Sequence, residues 1–108
     1  MEKRIINRDD GKKKLILNLT IDELMNLPNE NEKNAILKSA ILHYKTRDLL
    51  KSKGFNVEAK NWRWIDKGRD IGSYKTAFFN GEELSQTLHE YFNNVTFITA
   101  TLNGELFY

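Results

Sequence analysis

The sequence predicts a single α+β domain over residues 1–108, with a mainly antiparallel sheet, one long central helix and two shorter helices. Three observations lead to this fold class. Hairpin signals lie near both ends of the chain, at Asp10-Gly11 and Asn103-Gly104. The longest helix-period pattern occupies the middle, over residues 32–53. Helices and strands alternate irregularly, which favours α+β over a regular strand–helix repeat.

Composition narrows the classes of function. A chain of 108 residues can bury about two-thirds of its unfolded surface and can fold without covalent crosslinks. It has no cysteine, which excludes disulfides and thiol chemistry. The 17 basic and 15 acidic residues leave a net charge of only +2. No targeting or membrane-spanning segment is evident, so we expect a cytoplasmic protein. The frequent Lys, Asn and Ile are typical of an AT-rich genome, such as that of a bacterium or phage, and the small size together with this composition suggests a phage or mobile-element origin.

The N-terminal residues predict a β-hairpin. Asp10-Gly11 suits a two-residue turn, which would place Ile6 opposite Leu15 and Ile5 opposite Ile16. The second strand is expected to run to Asn18 or Leu19.

Two helices are predicted next. Thr20 and Glu23 form a capping box that begins a short helix, and Pro28 ends it after Leu27. Gly54 favours an end to the long helix near residue 53. Wound at the α-helical period, the long helix has two apolar stripes, which indicate a central helix packed on both sides or one face reserved for a partner. The first stripe is Ile36, Leu37, Ala40, Ile41 and Tyr44; the second is Ala35, Leu42 and Leu49.

The C-terminal half is expected to continue with strands and one helix. The run "FNVEAKNWRWI" predicts an extended segment, "DKGRDIGS" a loop and "YKTAFF" a strand. Asn80, with Glu83 three residues on, predicts a helix N-terminus, and an apolar stripe continues that helix. The final hairpin would pair Leu102 with Glu105 and Ala100 with Phe107. The stripe is Leu84, Leu88, Tyr91 and Phe92.

No catalytic constellation is evident. The two histidines, His43 and His89, have no metal-ligand partner at helical spacing, and no glycine loop has phosphate-binding spacing. We therefore expect a non-enzymatic protein with no cofactor and no metal. One alternative is open, because Glu58-Ala59-Lys60 resembles the acid-x-lysine half of restriction-type nuclease cores, in which carboxylates hold a divalent metal.

The stretch "KNWRWIDKGRDIG" contains the most informative residues. On a strand, Trp62 and Trp64 share one face and Arg63 lies on the other. Two adjacent exposed tryptophans need cover. Cover by another element of the chain is the simplest expectation; a protein partner or stacked, unpaired bases are the alternatives.

Residues 13–46, "KKLILNLTIDELMNLPNENEKNAILKSAILHYKT", are similar to ribbon-helix-helix DNA-binding proteins. In that family the strands of two subunits pair and enter the major groove. Leu15, Leu17 and Leu19 form the inward row of this strand, so the resemblance implies a base-reading row of Lys14, Ile16 and Asn18.

We expect a small binding protein whose partner is another protein, acting as an inhibitor, adaptor or accessory factor. Nucleic-acid binding is the alternative, and homodimerisation is also open. The expected protein-contact residues are Trp62, Arg63, Trp64 and Arg69. The expected nucleic-acid contacts are Lys12, Lys13, Lys14, Asn18 and Lys60. Leu42 and Leu49 would form the dimer seam.

Overall fold

Two sheets and four helices make up the computed structural model, which describes all residues 1–108. The α+β class predicted from the sequence is confirmed. The larger sheet has the strand order β1-β2-β6-β7. Its strands are β1 (Glu2–Asn7), β2 (Lys13–Leu19), β6 (Phe97–Leu102) and β7 (Glu105–Leu106). The smaller sheet has the order β3-β4-β5. Its strands are β3 (Val57–Asp66), β4 (Arg69–Phe79) and β5 (Glu82–Leu84).

The N-terminal hairpin forms, but its predicted register is wrong by one residue. Ile5, and not Ile6, lies opposite Leu15. The loop contains three residues between Arg8 and Lys12, because Gly11 takes a positive φ and its N–H donates to the Arg8 carbonyl. A three-residue loop of this type places a bulge after a type I turn. Strand β1 is exposed throughout, so no buried face of its own selects the register.

The C-terminal hairpin has the predicted register. Leu102 pairs with Glu105, and the Phe107 N–H donates to the Ala100 carbonyl. Strand β6 also pairs with β2, and that pairing is parallel. Distant segments supply the two strands, so no local sequence signal could indicate it.

The helices are α1 (Ile21–Met25), α2 (Glu30–Leu42), α3 (Tyr44–Ser52) and α4 (Leu88–Tyr91). The capping box at Thr20 and Glu23 is present. The predicted single helix over residues 32–53 is wrong, because an extended His43 separates α2 from α3. The break is stabilised by Thr46 and Arg47, whose side chains donate to the carbonyls of Ala40 and Ile41.

The predicted helix N-terminus at Asn80 is also wrong. Asn80 and Gly81 both take positive φ and form the turn between β4 and β5. Helix α4 begins later, after Thr87, whose capping box with Glu90 replaces the expected one. Asn-Gly is the strongest two-residue hairpin signal, and it outweighs the cap that asparagine can also provide.

Helix α2 is central in the fold, which agrees with the first of the two interpretations of the apolar stripes, a helix packed on both sides. It contacts the other three helices and all three strands of the smaller sheet. Its core residues join the inward leucines of β2 in one apolar cluster, and each fully buried leucine contributes about 2 kcal/mol. Tyr44, predicted in the first stripe, is exposed, because the break at His43 redirects the chain. None of the helices is long and apolar enough to cross a membrane.

Candidate binding surface

The distal part of the β3–β4 hairpin projects from the body of the protein. Every residue from Lys60 to Lys75 is exposed, and we call this segment the arm. Its two strands extend for about 23 Å at the usual rise of a β-strand. The radius of gyration is 15.2 Å, compared with about 13 Å expected for a compact domain of this length. A projecting hairpin increases the radius of gyration of a chain of given length.

The arm forms because the sequence favours a long hairpin on both sides of a tight turn. Lys67 and Gly68 take positive φ and connect β3 directly to β4. The predicted loop over "DKGRDIGS" is therefore wrong, and most of that stretch is strand. A bulge shifts the register between Trp64 and Ile65. Bulges increase local twist and often occur beside functional positions.

Three aromatic rings lie together on one side of the arm, which we call the aromatic face. Trp62 pairs with Tyr74 across the strands, and their ring centroids are 6.4 Å apart. The Trp64 ring lies 5.4 Å from the Tyr74 ring. The partner of Trp64 across the hairpin is Gly72, so no side chain from β4 lies directly opposite it. The three residues are 42% (Trp62), 58% (Trp64) and 42% (Tyr74) exposed.

The orientation of the aromatic face is held by a hydrogen bond at its base. Trp62 Nε1 donates to Thr76 Oγ1 at 2.9 Å, and Thr76 is buried in the body of the protein. Contacts between aromatic rings add about 0.5–1.5 kcal/mol each. A partner therefore meets rings that are already ordered, which reduces the entropy lost on binding.

The expectation that another element of the chain covers the tryptophans is wrong. Tyr74 contacts both rings but leaves about half of each exposed. The body contacts only the base of the hairpin, where Val57 and Ala77 are buried. Sequence reasoning also missed three contributors to the apolar surface of the arm, since the pairing of β3 with β4 was not foreseen: Tyr74, Ile65 and Ile71.

The four predicted protein-contact residues all lie on the arm but not on one face. Trp62 and Trp64 share the aromatic face. Arg63 lies on the opposite face, where its Nη1 is 3.0 Å from Asp70 Oδ2. Arg69 follows the turn at the tip and forms no ion pair within the chain. The arm has five basic and two acidic side chains: Lys60, Arg63, Lys67, Arg69 and Lys75, against Asp66 and Asp70.

The predicted nucleic-acid contacts are dispersed over the molecule. Lys60 lies at the base of the arm, far along the chain from the cluster at Lys12 to Lys14. Lys14 belongs to the outer row of β2, whereas Lys13 begins the row that contains the buried leucines. Asn18 is engaged within the sheet, since its amide donates to Glu2 and accepts from the Thr101 hydroxyl.

Strand β2 does not have the position that the ribbon-helix-helix resemblance requires. In that family the strand must be free to pair with another subunit. Here β2 lies between β1 and β6 and is hydrogen-bonded on both edges. The inward row of Leu15, Leu17 and Leu19 is buried, as strand alternation predicts, but it packs into the chain's own core.

The residues of the expected dimer seam are half-buried. Leu42 and Leu49 both pack against the same core as the first stripe. The break at His43 places them on different helices, so they do not form a continuous apolar stripe.

The acid-x-lysine pattern lies on exposed strand surface. The Lys60 ammonium is 3.9 Å from the Glu58 carboxylate, and both side chains are exposed. No group of three histidine, cysteine or acidic side chains is placed to hold a metal ion.

No protein-family model, no curated protein and no solved structure matches this chain. Its function is therefore inferred from the geometry of the arm.

Proposed function

We propose that this protein acts without catalysis, by binding another protein through its arm. The observation that carries the proposal is the aromatic face, three half-exposed and mutually contacting rings on a projecting hairpin, one of which donates a hydrogen bond to Thr76. Tryptophan, tyrosine and arginine are the residues most enriched at the energetic centres of protein interfaces.

The apolar surface of the arm is of a suitable size. Three half-exposed rings of about 200 Å² each present roughly 300 Å². That area matches the patches that are often functional on monomeric proteins. It would form the centre of a standard interface, which buries about 800 Å² on each partner. The cations at the tip, Lys67 and Arg69, would lie at the rim.

A protein partner suits the arm better than nucleic acid because of its aliphatic side chains. Ile65 and Ile71 are 61% and 59% exposed. Bases bind through stacking on aromatic rings and phosphates bind to cations, and isoleucine provides neither interaction. Ile65 is adjacent to Trp64 in β3 and lies on the opposite face of the strand, so a protein partner that encloses the arm can bury the rings and the aliphatic side chains together. An inhibitor, adaptor or accessory factor of a phage or mobile element would use such a surface.

Single-stranded nucleic acid is the second candidate, favoured by the basic excess of the arm. Aromatic stacking contributes about 1–3 kcal/mol per base, and the cations around the rings would contact phosphates. Affinity would then fall steeply as salt is raised, whereas an apolar protein interface would respond weakly.

The test compares capture of proteins and of a single-stranded thymidine oligonucleotide by immobilised wild type and a Trp62→Ala/Trp64→Ala variant. The matched control is Ile5→Ser/Leu106→Ser, which removes exposed apolar side chains elsewhere. We expect a protein from the host lysate to bind wild type and the control, to be lost with the arm variant, and to remain bound in high salt. Equal capture by all three forms contradicts the proposal. Salt-sensitive binding of the oligonucleotide, lost with the arm variant, favours the second candidate.

A further inference from the structure

A groove lies between the α2–α3 corner and the base of the arm, on the side opposite the aromatic face. Its volume is about 280 Å³, enough for a single functional group or a small molecule. No acidic side chain lines it, and two of its lining residues are cations, Arg47 and Lys75. The corner supplies Leu42, His43, Tyr44 and Arg47, and the arm supplies Ala59, Asn61 and Lys75.

Arg47 is the cation that the α2–α3 corner contributes to the groove. It is half-buried, and one guanidinium nitrogen donates to the Ile41 carbonyl at 3.0 Å. This bond fixes the plane of the guanidinium but uses only one of its five N–H donors. Arg47 forms no ion pair within the chain, although Asp48 follows it directly. Guanidinium groups that are removed from water are usually paired with an anion.

The neighbouring elements add further hydrogen-bond donors to the groove. None of them adds an acidic side chain that would compete with an anionic ligand for the two cations. Lys75 has no ion pair and no hydrogen bond from its ammonium within the chain. Asn61 pairs with Lys75 across the hairpin, so the two side chains project from the same face. His43 stacks on Tyr44 with ring centroids 5.5 Å apart, and its buried Nδ1 has no hydrogen-bond partner. Unpaired buried polar atoms are uncommon and often mark functional positions.

We propose that this groove binds an anionic group, either a carboxylate or a phosphate. The guanidinium of Arg47 would form the charge-assisted hydrogen bonds, and Lys75 would neutralise the second oxygen from the opposite wall. The site does not depend on the identity of the partner of the aromatic face. A carboxylate could come from an acidic side chain of a protein, and a phosphate from a nucleotide or a free ion.

The test is a nuclear magnetic resonance titration of the full chain at constant ionic strength, with sodium phosphate and sodium acetate as separate probes. We expect saturable shifts confined to the amides around Tyr44, Arg47, Asn61 and Lys75. Lys75→Gln should weaken the affinity about tenfold, since it removes a charge-assisted hydrogen bond to the anion. The control is Lys51→Gln, an equal change of charge on the exposed end of α3.

Lys75→Gln is the principal variant because its side chain supports no bond of the fold, whereas Arg47→Gln also removes the bond to Ile41. Tighter binding of phosphate than of acetate would favour a phosphoryl ligand, and binding of acetate at least as tight as that of phosphate would favour a carboxylate. Linear shifts spread over many lysines, or equal weakening in Lys51→Gln and Lys75→Gln, would show general charge attraction and overturn the proposal. The absence of saturable shifts with both probes would also overturn it.

Discussion

At the scale of single residues, the largest side chains are not the ones that hold the fold together. The half-exposed Trp64 contacts Tyr74 and no core residue of the cluster. Leu37 is fully buried in that cluster. Strand alternation in the sequence correctly placed Trp62 and Trp64 on a common face. Whether that face is covered depends on where the helices pack, which alternation does not encode.

Truncating Trp64 should therefore have little effect on stability. We expect Trp64→Ala to change the free energy of unfolding by less than about 1 kcal/mol. Leu37→Ala should lower it by about 3 kcal/mol, through lost burial and the cavity that remains. Urea denaturation followed by circular dichroism measures both. A cost for Trp64→Ala as large as that for Leu37→Ala would mean that the ring is buried in solution.

A second prediction at this scale concerns acid. The N-terminal ammonium, with the Thr20 N–H, holds the pKa of Glu23 below its ordinary value of 4.5. A lowered pKa contributes stability that is present above 4.5 and is lost as the pH falls through the lowered value. We expect Glu23→Gln to reduce the loss of stability in that window. The comparison is Glu83→Gln, an exposed carboxylate without an ion pair; identical acid curves for the two variants contradict the prediction.

At the scale of elements, local signals identified the capping box at Thr20 and the turn at Asn103-Gly104 but not the turns at Lys67-Gly68 and Asn80-Gly81. The helix pattern over residues 32–53 contains no proline or glycine until Gly54, so nothing in it predicts a break at His43. The break depends on Thr46, which is fully buried and donates to carbonyls of α2 and of His43. Threonine and arginine have ordinary roles within helices, and only the folded corner shows that they cap α2.

The corner should depend on the Thr46 hydroxyl. Thr46→Val preserves the shape of the side chain but leaves the Ala40 carbonyl without that donor. We expect the free energy of unfolding to fall by about 0.5–1.5 kcal/mol, the net contribution of a hydrogen bond, because the Ala40 carbonyl still accepts from the His43 N–H. Thr46→Ser keeps the donor and should be milder. Equal stability of wild type and Thr46→Val in urea denaturation would show that the hydroxyl does not stabilise the break.

At the scale of the whole molecule, the protein consists of a body organised around α2 and an arm that leaves it. The core cluster includes residues of both sheets and of all four helices. No residue of the segment between Ala59 and Ala77, which contains the arm, belongs to it. The stability of the body and the binding of the arm should therefore be separable. The groove at the base of the arm is where the two meet.

Removing the arm tests this separation. Replacement of residues 61–75 with Asn-Gly would close the hairpin at the Lys60–Thr76 pair. We expect the shortened protein to fold, with its free energy of unfolding within about 1 kcal/mol of wild type, and to lose capture of the partner. Circular dichroism with urea denaturation, beside the capture assay, measures both properties. An unfolded product would show that the arm is part of the cooperative core.

The sequence by itself determined the elements that depend on neighbouring residues: the capping box at Thr20, the turn at Asn103-Gly104, the buried leucine row of β2 and the shared face of the two tryptophans. Each follows from backbone geometry or from the period of a strand or helix. Only the tertiary structure decided the parallel pairing of β2 with β6, the break at His43, the exposure of the aromatic face and the groove beside Arg47. These features arise where segments distant in the chain meet, and the free energy of such contacts has no local signature in the order of the residues.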